Sequence, residues 1–398
     1  MRRGPLLVAL FLGAVALRPQ LVGVGPLLPS IQRDLGVSHA VAGLLGTIPV
    51  LCMGLFAPPA PFLSGRIGSR HALAFALLLV GSFGVTRLYL PGGAATVIAL
   101  TFPLGMGMGF AGALMPVAVK ERFADRPGFA TGVYTTGITI GSAISAAIAV
   151  PLAHAIGGWR TPLFAFSIVT LVLAGAWFWL TRTEPAHRRV DLRPLRLPWR
   201  SPLGWHFVTA FFLMSSVFYG LNAWLPDVYV EHGWSQSSAG ALLAVMNAIT
   251  IPCGFAVAWA ADHIWTRRVW LGGAAVLQVF GLLGIVLAPG AGWLWAVVVG
   301  MAIGPLFPLT LTLPLDAAEQ PAEVAALTGM MFGVGYTLSA ASPLVLGAVR
   351  DAAGRFTPVL WVLVGVAAVL AFVDASFSPE RLAAGRSSDE RRLAAASS

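Results

Sequence analysis

Long apolar blocks separated by short polar joints dominate this chain. The blocks fall at about 5–28, 40–62, 72–90, 94–118, 128–152, 161–180, 204–228, 238–260, 269–288, 293–315, 325–349 and 357–376. Each is close to the ~20 helical residues that cross a ~30 Å hydrocarbon layer at ~1.5 Å per residue. The pattern predicts an all-α integral membrane protein of twelve transmembrane helices. One polar connection is long: Thr181 to Ser201 carries six arginines and divides the chain into two groups of six. The expected units are a six-helix bundle over 1–180, a central loop over 181–203, a second bundle over 204–377 and a disordered tail over 378–398.

The two groups match each other at a constant offset. LPSIQRDLGVSHAVAGLL (Leu28 to Leu45) aligns with LPDVYVEHGWSQSSAGAL (Leu225 to Leu242), pairing Pro29, Gly36, Ser38 and Gly43 with Pro226, Gly233, Ser235 and Gly240. The same shift pairs Arg70 with Arg267, and Thr131-Gly132 with Thr328-Gly329. Because each copy has an even number of spans, the repeats run parallel, as in carriers whose halves rock about an axis along the membrane normal.

Composition agrees with a membrane protein. Of 398 residues 57% are hydrophobic and 10% charged, with mean hydropathy +0.82; a soluble domain of this length would need a mostly apolar surface. The net charge of +9 does not indicate nucleic acid, because the cations lie in short loops. With the N-terminus inside, nineteen Lys and Arg fall in inner segments and four, Arg33, Arg160, Arg350 and Arg355, in outer loops. Both termini are therefore expected in the cytoplasm of a plasma (inner) membrane, with the first apolar run retained as a span. Cys52 and Cys253 lie in apolar runs without His or Cys neighbours at ligand spacing, so no metal, cofactor or disulfide framework is expected. No Walker sequence or Ser-His-Asp arrangement is present, which argues against a pump or an enzyme.

Two charges remain within spans. Arg18, followed by Pro19, lies ~20 Å from the start of the first run, where an arginine costs at least ~2.5–3.5 kcal/mol. No acidic residue falls in the middle of an apolar block, so its companions are water, carbonyls of a broken helix, or an anionic or polar substrate. Its repeat counterpart is Ser215, which makes the charge one-sided. Arg87, late in the third run, either snorkels or draws solute inward. Other polar or aromatic candidates for a path are Tyr134 in the fifth run, Tyr219, Asn222 and Trp224 in the seventh, Asn247 in the eighth, Gln278 in the ninth and Tyr336 in the eleventh. Each could instead bond a neighbouring helix, and Tyr219 and Trp224 could belong to an interfacial belt. Gly105, Gly107, Gly109, Gly329, Gly333 and Gly335 suit close helix approach.

The loop PFLSGRIGSR (Pro61 to Arg70) resembles the major facilitator superfamily signature GxxxDRxGRR, and AWAADHIWTR (Ala258 to Arg267) resembles its second-half copy. Arg66, Gly68 and Arg70 match in the first copy, where Gly65 stands in place of the aspartate; Asp262 and Arg267 match in the second. In the superfamily this loop locks one gate, which makes these five the gating candidates. More specifically, the segments Leu17 to Pro59, Met115 to Gly137, GGWRTPL at Gly157 to Leu163 and Phe218 to Ser235 are similar to the cyanate and 2-nitroimidazole transporter family. The resemblance implies a secondary transporter of small molecules without fixing the substrate; with Arg18 as the electrostatic anchor, the expected solute is small and anionic or polar and planar, and the carrier is read as a monomer in the bilayer. Drug/proton antiporters of the superfamily usually carry an arginine ahead of a glycine-rich run in span four and a Gly-Pro pair in span five; here no arginine precedes the run at Gly105, and span five has no Gly-Pro pair. Drug efflux and a transport-dead sensor are the rival readings. Protons are the candidate coupling ion, with facilitated diffusion or exchange still open.

Overall fold

The computed structural model describes residues 3–123, 127–182, 197–263, 267–317 and 321–377, every regular element of which is helical. Most of the expected central loop and all of the expected tail lie outside these residues, as do the side chains of the gating candidates Asp262 and Arg267.

Among the described residues, twelve helical stretches are long and apolar enough to cross a membrane. The first is broken into α1 (Arg3–Val15), α2 (Pro19–Val22), a 3-10 turn (Gly25–Leu27) and α3 (Leu28–Leu35). It runs past the expected end at 28 because Leu28, Ile31 and Leu35 keep one apolar face while Arg33 and Asp34 turn outward. The second span is α4 (His39–Phe56), shorter than expected because Pro58 and Pro59 cannot continue it; α5 (Ala60–Ile67) follows as a separate helix. Spans three to six are α6 (Ser69–Tyr89), α7 (Gly93–Arg122), α8 (Pro127–Ile156) and α9 (Arg160–Leu180). Spans seven to ten are α10 (Pro202–Glu231), α11 (Gln236–His263), α12 (Arg267–Leu287) and α13 (Gly292–Ala317). Span eleven is α14 (Pro321–Ser339) continued by α15 (Ala341–Ala353), and span twelve is α16 (Thr357–Ala375).

The internal repeat reappears in the packing. In the first half α1 packs on α8, α4 on α7 and α6 on α9; in the second, α10 packs on α14, α11 on α13 and α12 on α16. The halves meet through α8 against α11 and through α4 against α14 and α15. Glycines allow the tight seams: Gly105 and Gly109 bring α7 onto α4 at Pro49 and Cys52, and Gly137 brings α8 onto Phe11 of α1. With even numbers of spans on each side, the joints at 36–38, 90–92, 157–159, 232–235, 288–291 and 354–356 share one end of the bundle. This is called the far end below, opposite the end that carries the termini.

Candidate functional site

Pro19 makes the break that creates the site. It has no N–H for the carbonyl of Val15, and its ring crowds the preceding turn. Residues 16–18 leave the helix, and Arg18 becomes the residue preceding α2. The freed backbone finds other neighbours. Thr170 of α9 donates its hydroxyl to the Ala16 carbonyl at 3.3 Å, and α8 presents Gly141 to the Val15 carbonyl, where a side chain would collide. Irregular backbone at this depth is therefore enclosed by protein, as the hydrocarbon requires.

Arg18 is 9% exposed, and its guanidinium donates to the hydroxyl of Tyr219, 3.2 Å away on α10 in the other half. It also lies 5.8 Å from the centre of the Tyr219 ring, within the range of a cation–π attraction. Tyr336 of α14 presents a second phenol to the same guanidinium, and Tyr134 of α8 lies close to Tyr336. Tyr336 is fixed edge-on by Phe211 at 4.8 Å and stacked by Phe332 at 5.7 Å. Met53 of α4 closes the group, its sulfur 3.9 Å from the Tyr219 hydroxyl. The result is one cation with phenol and thioether neighbours drawn from both halves. A guanidinium has five N–H donors in a planar fork, so it can hold a planar anion or a nitro group by two of them while the rings cover the faces of a flat solute. Among the described residues no carboxylate touches Arg18. The partner it has, a phenol from the opposite half, was not among the companions expected.

The structure does not bring the other candidates to this point. Arg87 neither snorkels nor faces the Tyr219 group: 1% exposed, it donates to Thr101 at 2.9 Å and to Gln20 Oε1 at 2.8 Å, inside the first half. Gln20 in turn donates to Ser167 at 2.7 Å and to the Leu163 carbonyl at 3.0 Å. This buried polar network ties α2, α6, α7 and α9 together. Asn222 and Asn247 bond each other at 3.0 Å, beside the seam with the first half, where Gly25 approaches the Asn222 carbonyl. Trp224 is buried rather than belted at an interface; it donates to the Pro343 carbonyl at 2.8 Å and packs on His39 and Phe356. Gln278 is buried in the second half, and its amide has no hydrogen-bond partner among the described residues. Of the gating candidates, Gly68 takes φ +80° in the turn between α5 and α6, a conformation open chiefly to glycine. Arg66 stands in the last turn of α5. Arg70 donates to the carbonyls of Phe178 and Arg182 at 3.1 and 3.3 Å and stacks on Phe178. It neutralises the C-terminal end of α9 in its own half.

The far end holds contacts that the sequence did not suggest. Asp351 of α15 accepts from the backbone N–H groups of His39 and Ala40, at 3.1 and 2.8 Å, and from the His39 ring at 2.8 Å. A carboxylate from one half thus caps the N-terminus of α4 in the other, where the helix dipole favours negative charge. Gln236 of α11 donates to the Pro26 carbonyl at 2.6 Å and accepts from Ser30 at 3.2 Å. These bonds close the far end between the halves.

A sequence profile of the Major Facilitator Superfamily matches residues 10–340. The cyanate transport protein CynX of Escherichia coli is 31% identical over 353 residues, 88% of this chain and 91% of that protein. The 2-nitroimidazole transporter of the same organism is 29% identical over 388 residues, 97% and 96% of the two chains. Among solved structures, a D-xylose-proton symporter superposes with a TM-score of 0.75 at 17% identity, covering 94% of this chain and 98% of its own.

Proposed function

The chain belongs to the Major Facilitator Superfamily, and from that premise we propose that it carries a small anionic or polar planar solute, cyanate-like or nitroimidazole-like, by alternating access. The carrying observation is Arg18 at a proline break, enclosed and bonded to a phenol of the opposite half instead of to a carboxylate. A solute with a delocalised negative or polarised end satisfies the guanidinium better than a neutral phenol does, because it brings opposite charge and two acceptors that match the planar N–H fork, where the phenol offers one. As the Arg18–Tyr219 bond crosses between halves, replacing it with solute changes what holds them together. That is the differential contact alternating access needs. In this reading the halves 1–180 and 204–377 rock about the site, and the far end faces outward, as the excess of cations at the termini end supports. The location is the plasma membrane, and the working unit is a monomer. The similarity to the cyanate and 2-nitroimidazole proteins supports the solute class.

The test is uptake and counterflow in proteoliposomes of the purified chain, with labelled cyanate and labelled 2-nitroimidazole as separate substrates, each with and without an imposed proton gradient. Saturable counterflow of either solute supports the reading, and accumulation driven by the gradient identifies protons as the coupling ion. Absence of counterflow for both overturns the solute class.

A further inference from the structure

At the far end α10 and α15 bring three carboxyl groups near one arginine. Glu231 is satisfied twice: its Oε1 accepts the Phe356 N–H at 2.9 Å and its Oε2 lies 3.1 Å from Arg350. Asp351 accepts the three bonds from the start of α4. Asp227, one turn before Glu231 on α10, is left over. It is 5% exposed, its Oδ2 has no hydrogen-bond partner among the described residues, and the charged groups acting on it there are Arg350 and Glu231. The remaining groups on elements packed against this end of α10 do not supply its charge. His39 of α4 is bonded to Asp351, Asp34 of α3 pairs with Arg160 at 2.7 Å, and Arg33 of α3 bonds the Pro29 carbonyl. His232, at the end of α10, is engaged with the Val228 carbonyl; Arg355 is exposed in the loop between α15 and α16. The stretches of α11, α13, α15 and α16 that reach this end add no charge beyond Arg350 and Asp351. One guanidinium thus serves Glu231 and Asp227, and a buried unpaired charge is the costliest way to leave the second carboxyl.

The lid over this cluster belongs to the first half. His39 packs on Trp224 at 5.6 Å and on Phe356 at 5.7 Å, while its backbone holds Asp351. Drawing α4 away admits water to a carboxyl that is otherwise enclosed.

We propose that Asp227 is a proton-binding site of the carrier, occupied by a proton while the far end is closed and emptied into the far-side compartment when it opens. The inference rests on the reading of the chain as an alternating-access carrier and adds where its protons bind. Protonation removes the unpaired charge and favours closure; water at the open gate favours the carboxylate. By linkage, the closed state, which holds the extra proton, gains population as the far-side pH falls. A solute is not needed for this equilibrium, so it can be measured without one.

The experiment places spin labels on cysteines at Ala95 and Ala291, exposed positions at the far end of opposite halves, in the full chain with Cys52→Ala and Cys253→Ala. Distances are read by pulsed dipolar spectroscopy at about pH 5 and about pH 8. The parent is expected to show the short distance at the lower pH and a growing longer population at the higher. Asp227→Asn, which keeps the shape of the protonated acid, is expected to stay short at both. His39→Gln is expected to keep the pH dependence, and Asp227→Glu to keep it with a displaced midpoint, a readout that stands even if the asparagine variant fails to insert. A parent distribution indifferent to pH overturns the proposal. So do a pH response in Asp227→Asn equal to the parent's, its loss in His39→Gln, or an unmoved midpoint in Asp227→Glu. Because no solute is present, such a failure removes the proton site alone, whereas the flux assay above bears on the solute reading.

Discussion

Arg18 and Arg87 carry the same charge in the same half, yet their surroundings use it differently. Arg87 spends its donors on Gln20 and Thr101 within one bundle; Arg18 meets a phenol from across the interface. Arg87→Ala leaves Gln20 Oε1 buried without its donor, which costs about 1–3 kcal/mol. In detergent its Tm is expected to fall by roughly 1–4 °C, with the KM of remaining flux close to the parent value. A KM change without a Tm change would mean that Arg87 meets solute. Both arginines were legible as charges inside apolar runs, which is why the sequence offered both as candidates. Their separation was not legible, because the groups that absorb Arg87 come from 20 and 101, Gln20 being held in turn by 163 and 167, and these positions share no local pattern. Tyr336 and Tyr134 were visible as polar groups at depth, but nothing local tells a pocket-facing tyrosine from one bonded to a neighbouring helix.

At the scale of elements, Pro19 turns one long apolar run into a broken span, and the glycines of α8 accept the exposed turn. Pro19→Ala restores a donor to the Val15 carbonyl and lets α1 run on into α2. The expected outcome is a Tm at or above the parent's with kcat/KM lowered at least ~10-fold, since a small misplacement of a binding group costs on this order; unchanged flux would show that the break does not set the position of Arg18. Gly141→Leu forces side-chain atoms against the Val15 carbonyl, an overpacking worth ~1–3 kcal/mol, and is expected to lower Tm. An unaltered Tm would show that the α1–α8 seam has slack. The Leu17-Arg18-Pro19 tripeptide made the break readable in advance. The extra helix α3 was not, since its amphipathic face lies beyond the last continuous apolar residue; the stop of α4 at Phe56 follows from Pro58 and Pro59, which a hydropathy count passes over.

For the whole molecule, the twelve spans and their parallel repeat could be read from block length and the offset of 197, because hydrophobic length and duplication are one-dimensional signals. The closed far end could not: Asp351 sits at the end of a span, where an acidic residue ordinarily means a solvated turn, and only the assembled fold sets it on the first turn of α4. Asp351→Asn is expected to weaken that latch by about 1–2 kcal/mol from the lost cap and dipole interaction. The check is the modification rate of Ala42→Cys, buried beneath the latch, by an impermeant thiol reagent; an increase of roughly 5–30-fold is expected, and an unchanged rate would show that the latch does not hold the gate. Whether Arg18 binds the solute is read from saturable counterflow of labelled cyanate in matched proteoliposomes of the parent and Arg18→Ala. Saturable flux is expected to disappear in the variant while its Tm stays near the parent's; equal flux in the two proteins would overturn the assignment and leave Arg18 as a structural tie between the halves.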